Sequence, residues 1–153
     1  MVDVGEKAPA FKAPIGGGGL TALQDLKGKK VVLYFYPKDD TPGCTAEAKD
    51  FADLKRKFSA NGIAVVGVSK DSVAKHDRFA EKYGLRITLA SDEDGAICNA
   101  YGVWVEKKNY GRAYMGIERS TFLIDVKGKI AKVWRKVKVK GHAEAVLAAA
   151  KEI

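Results

Sequence analysis

A thiol becomes a nucleophile where its surroundings favour the thiolate, and the segment Tyr36-Pro37-Lys38-Asp39-Asp40-Thr41-Pro42-Gly43-Cys44-Thr45-Ala46-Glu47 gives one cysteine such a setting. Thr41 suits a helix N-cap and Pro42 the first helical position, so Cys44 falls in the first turn of a helix. Unpaired N–H groups and the positive end of the helix dipole favour a thiolate there. Helix initiation alone also accounts for the Thr-Pro pair, so position by itself leaves open an unreactive residue. Other cysteine chemistries fail on residue type. Glu47 stands where a C-x-x-C redox or zinc pair needs its second cysteine, and nothing pairs with Cys98. Asp50 stands where a C-x(5)-R phosphatase loop needs arginine. A Cys–His hydrolase or a metal set would need His76 or His142, and both read as surface residues at helix starts or faces.

The elements around Cys44 follow from periodicity. Val31 to Tyr36, Ile63 to Ser69, Ile87 to Ala90 and Ser120 to Val126 are short apolar, β-branched runs and read as strands. The first two are almost continuously apolar, as befits central strands covered on both faces. Lys127-Gly128 is a plausible hairpin turn into a fifth strand, Ile130 to Val139. Helical spacing covers Cys44 to Ala60, Ser72 to Tyr83, Asp94 to Tyr101 and Ala143 to Glu152; Gly62, Gly84 and Gly102 supply C-terminal stops. The first thirty residues carry weak strand signals, with a turn at Gly16 to Gly19. Setting residues 86–118 aside as an insertion leaves βαβα–ββα, the thioredoxin-like arrangement. An α/β fold is expected, with a mixed central sheet flanked by helices in three layers.

A chain of 153 residues with 46% hydrophobic content suits one compact domain over residues 1–153. Two cysteines exclude a disulfide-dense scaffold, and no apolar run approaches the roughly 18 residues of a membrane span. The N-terminus lacks the pattern of a signal peptide, so a cytoplasmic address is expected, with no membrane partner. A net charge of +8 permits a polyanion partner. Lys132, Arg135, Lys136, Lys138 and Lys140, mixed with Val133, Trp134, Val137 and Val139, fit an edge strand guarded against sheet-to-sheet pairing. Without a base-reading or stacking motif, no specific nucleic-acid partner is expected.

Pro37-x-x-x-Thr41-x-x-Cys44 resembles the P-x-x-x-T-x-x-C signature of peroxiredoxins, and Tyr34-Phe35-Tyr36-Pro37-Lys38 with Thr41-Pro42-Gly43-Cys44-Thr45 is similar to the bacterioferritin comigratory protein (peroxiredoxin Q) branch. Arg78-Phe79-Ala80-Glu81-Lys82, Ser91-Asp92-Glu93-Asp94, Tyr101-Gly102-Val103-Trp104 and Arg119-Ser120-Thr121-Phe122-Leu123-Ile124-Asp125 extend the likeness over essentially the whole chain. The resemblance implies a thiol-dependent peroxidase acting on hydrogen peroxide and organic hydroperoxides, with no metal, haem or flavin. Cys44 would attack the peroxide. Thr41 would hydrogen-bond thiolate and substrate, Arg119 would stabilise both thiolate and transition state, and Pro37 would shape the pocket. Around the substrate, Gly43 would offer its N–H and Glu47 would hold Arg119.

One departure bears on the cycle. The positions matching the branch's resolving cysteines are Lys49 and Ala80. Cys98, in Ala96-Ile97-Cys98-Asn99-Ala100, reads better as a buried structural thiol than as a resolver. A one-cysteine cycle is therefore expected, with thioredoxin or another external thiol as reductant, in a monomer or weak dimer. The rival from another class is a basic polyanion-binding or holdase protein on the same scaffold.

Overall fold

The computed structural model describes residues 2–153. Near the N-terminus, β1 (Lys12–Pro14) and β2 (Leu20–Ala22) form a short antiparallel hairpin. The central sheet follows from β3 (Lys30–Phe35), β4 (Ile63–Ser69), β5 (Thr88–Ser91), β8 (Ser120–Ile124) and β9 (Ile130–Trp134), in the order β5-β4-β3-β8-β9. β3, β4 and β5 run parallel, whereas β8 and β9 are antiparallel neighbours, so the sheet is mixed. The helices are α1 (Pro42–Asp53), α2 (Lys55–Ala60), α3 (Val73–Tyr83), α4 (Ala96–Ala100) and α5 (His142–Lys151).

Strand alternation sorts the core into two clusters. Val31, Leu33 and Phe35 of β3 pack with Phe11, Cys98, Tyr101 and Phe122 on one face. Val32, Tyr34 and Tyr36 pack with Cys44, Phe51, Phe58, Phe79 and Val146 on the other. The sheet is thus the middle layer of three, and the architecture is thioredoxin-like. At Gly67 of β4, a Cβ would come within 2.6 Å of the Tyr34 ring, so the flat packing of that ring requires glycine there.

Three local departures from the sequence expectations have physical causes. The helix expected over Cys44 to Ala60 breaks at Leu54, whose φ/ψ of −95°/3° leaves its N–H shared between Asp50 and Phe51 carbonyls. The break still lets Phe58 join Phe51 in one core, ring centroids 6.0 Å apart. β9 ends at Trp134 rather than Val139, because Lys136 adopts a φ of 49° and Val137 turns its N–H onto the Arg119 carbonyl. Within residues 86–118, β6 (Trp104–Asn109) and β7 (Arg112–Ile117) form a ribbon that periodicity does not show, because Lys107 and Lys108 interrupt β6 and the apolar residues of β7 are largely exposed. Tyr110 and Gly111, both at positive φ, make its turn.

Candidate active site

Thr41 has the extended backbone of an N-cap, Pro42 opens α1, and Cys44 is its third residue. The first intrahelical bond runs from Thr45 N–H to the Thr41 carbonyl, which leaves the N–H groups of Gly43 and Cys44 at the open helix end. Cys44 is 1% exposed. The Thr41 hydroxyl donates to the Lys38 carbonyl at 2.8 Å, so its oxygen lone pairs, rather than its proton, remain free. Pro37 lies exposed between β3 and this loop.

Arg119 reaches the same place through strand register. β8 pairs with β3 so that Ser120 stands opposite Phe35, and the residue before Ser120 therefore arrives beside the end of β3. Its backbone is held by Val137 N–H on its carbonyl, and the neighbouring Glu118 N–H donates to Val103. Arg119 Nη2 donates to Cys44 Sγ at 3.2 Å, and Nη1 donates to Glu47 Oε1 at 2.6 Å. Glu47 is three residues after Cys44, hence on the same helix face, and is 1% exposed. A Cβ on Gly43 would sit 3.1 Å from Arg119 Nη2, so glycine there leaves room for the guanidinium.

The electrostatics follow from burial. Desolvation pushes the Glu47 carboxyl up to about 7 against the pull of Arg119, and its Oε2 has no hydrogen-bond partner. Tyr34, whose hydroxyl is likewise buried and unpartnered, is pushed well above its ordinary value by burial and then by Glu47. Lys107 on β6 is pulled down by burial and by Arg119.

Both histidines are buried, contrary to their reading as surface residues. His142 opens α5 and sits edge-on to Phe51 and Trp134, with Nε2 2.7 Å from Thr121 Oγ1. Burial and Arg119 pull it down to about 4, so it is neutral near pH 7. His76 is 0% exposed. It lies three residues before Phe79 on α3, and this membership of an apolar face was the signal for its burial. Cys98 is buried in α4, its N–H donating to Asp92 Oδ2 at 2.8 Å. Burial, then the Asp92 hydrogen bond, raises its thiol far above the ordinary value. Both cysteines are free. Among the described residues, no three His, Cys, Asp or Glu side chains are grouped to hold a metal.

On a thioredoxin-like fold, a helix-start cysteine hydrogen-bonded by an arginine is a setting in which a thiol can act as a nucleophile. A profile of the AhpC/TSA family matches residues 4–133. A putative peroxiredoxin Bcp of Coxiella burnetii is 55% identical, covering 95% of this chain and 97% of its own length. The peroxiredoxin Bcp of Bacillus subtilis is 48% identical, with coverage of 99% and 97%. The solved Xanthomonas campestris bacterioferritin comigratory protein, described for alkyl peroxide reduction, superposes with a TM-score of 0.91 at 47% identity over 98% of each chain. The chain belongs to the AhpC/TSA family of peroxiredoxins, in its Bcp/peroxiredoxin Q branch. It is by that membership a thiol-dependent peroxidase.

Proposed function

We propose that Cys44 is the peroxidatic residue and that the protein reduces hydrogen peroxide and organic hydroperoxides in a one-cysteine cycle. The observation that carries the reading is Arg119, hydrogen-bonded at once to the Cys44 sulfur and to buried Glu47. A hydrogen bond from a guanidinium is stronger to a thiolate than to a thiol, so Arg119 favours the attacking form. The thiolate attacks the terminal peroxide oxygen; the S–O bond forms as the O–O bond breaks, and the departing alkoxide takes up a proton to leave as alcohol or water. Thr41, whose O–H is donated to the Lys38 carbonyl, accepts a hydrogen bond from the peroxide O–H. Gly43 and Cys44 N–H groups and Arg119 face the negative charge spreading over the breaking bond.

The sulfenic acid is then attacked by an external thiol, releasing water and leaving a mixed disulfide that a second thiol reduces. Thioredoxin is the proposed donor; a glutaredoxin or small thiol is the second reading, favoured by Lys49 and Ala80 standing where resolving cysteines would be. We take residues 1–153 as one domain, monomeric or weakly dimeric, acting in the cytoplasm. No described helix is long and apolar enough to cross a membrane. Stopped-flow peroxide consumption tests the assignment: Cys44→Ser should lose at least a thousandfold in rate. A variant that keeps most of its rate overturns it.

A further inference from the structure

His76, buried on α3, takes no part in the chemistry above, yet it is tied to the loop that carries Thr41. Its Nδ1 lies 2.6 Å from Asp39 Oδ2 and its Nε2 lies 3.0 Å from the Ala90 carbonyl. The ring is thereby held at both nitrogens, one against the Asp39 carboxylate and the other against the backbone of β5. The other Asp39 oxygen accepts from Tyr36 at 2.6 Å. The backbone of the same residue is held too: Asp39 N–H donates to Asp71 Oδ2 at 2.8 Å, and Ser69 Oγ donates to that same oxygen at 2.7 Å.

This N–H belongs to the peptide group whose carbonyl is that of Lys38, the acceptor of the Thr41 hydroxyl. One rigid peptide plane is thereby gripped at its N–H by the network under α3 and presents its oxygen to Thr41. The next residue is anchored to α3 as well. Asp40 holds a left-handed φ of 61°, and its carboxylate accepts from Lys82 Nζ at 2.9 Å and Tyr83 Oη at 2.6 Å.

We infer that His76 is a positioning residue for peroxide attack: paired with Asp39, it fixes the 38–39 peptide and so aims the Thr41 hydroxyl and the first turn of α1 beneath Arg119. The inference rests on the peroxidase reading and extends it to α3. Loss of the pair frees the loop. Peroxide attack, which needs Thr41, Cys44 and Arg119 aligned, then slows, whereas alkylation of Cys44 by iodoacetamide, which needs only a reachable thiolate, holds steady or speeds up, because the sulfur is otherwise enclosed.

The test compares both second-order rates in the full-length protein for His76→Gln, Asp39→Asn and the double variant, each checked for folding by circular dichroism. The ratio of peroxide rate to alkylation rate should fall on the order of tenfold or more in each single variant, and no further in the double. A general loss of stability would not drive the two rates apart. Asp39→Asn is isosteric with the native side chain, so it carries the test if His76→Gln does not fold. An unchanged ratio in folded Asp39→Asn, or single effects that multiply in the double variant, overturns the role given to His76. A wild type that fails to consume peroxide defeats the peroxidase reading itself.

Discussion

Cys44 and Cys98 lie against opposite faces of one five-stranded sheet, the first in the cluster with Tyr34 and Phe51, the second in the cluster with Phe35 and Tyr101. A disulfide needs Cα atoms within roughly 7 Å, so joining these sulfurs would require carrying one of them past a fully buried strand layer. The Cys98 thiol is also held protonated by burial and by Asp92.

One equivalent of peroxide without reductant should therefore leave sulfenic acid on Cys44, and excess peroxide should take it to sulfinic acid. Mass spectrometry reads both states. Cys98→Ser should keep peroxide turnover within about twofold of wild type, as expected of a residue outside the reaction. A dominant Cys44–Cys98 bridge would make Cys98 the resolver.

Arg119→Met should slow peroxide attack by about 10²- to 10³-fold, the usual loss when one preorganised donor to a charged transition state is removed. The methionine occupies similar space, so the far-ultraviolet spectrum should not change. Single-turnover stopped flow monitored by peroxide loss gives the rate, and a change below threefold would assign the catalytic charge elsewhere.

Glu47 titrates near 7 in the fold against an ordinary value of 4.5, because burial outweighs the pull of Arg119. Between these values the native state holds a proton that the unfolded chain has released, so stability is fully present below about 4.5 and declines as pH rises through 7. Glu47→Gln cannot ionise and lacks this decline. Relative to wild type, its stability should rise with pH across the window by up to about 1.4 kcal/mol per unit. Urea unfolding at pH 5 and pH 7 measures the difference.

His142 gives the opposite slope. Its folded value, near 4, lies below the ordinary 6.5, so as pH falls through this interval the unfolded chain gains a proton that the native state refuses. Wild-type stability should fall between pH 6.5 and 4, and His142→Gln, which can still meet Thr121, should flatten that part of the profile. Parallel profiles for the two proteins would show that acid sensitivity arises at another group.

Local rules were enough to read Cys44 and its helix start, because Thr41, Pro42 and Gly43 act within one turn of the thiol. They were enough as well for β3, β4 and the β8–β9 turn, where nearly unbroken apolar runs and Gly128 signal themselves over a few residues. Resemblance, rather than spacing, pointed to Arg119. Only the pairing of β8 with β3 brings its guanidinium to a sulfur 75 residues away in sequence. Burial of His76 and His142 was equally a tertiary outcome, since a polar ring on a helix face is read as solvated until a carboxylate or hydroxyl from another element meets it. Nor could periodicity see β9 stop at Trp134, because Lys136 turns into the left-handed region to put Val137 on the Arg119 carbonyl. Short-range patterning thus determined the helix-start setting of Cys44 and the strands. The charges around its sulfur were decided by register and burial, properties of residue pairs far apart in the chain.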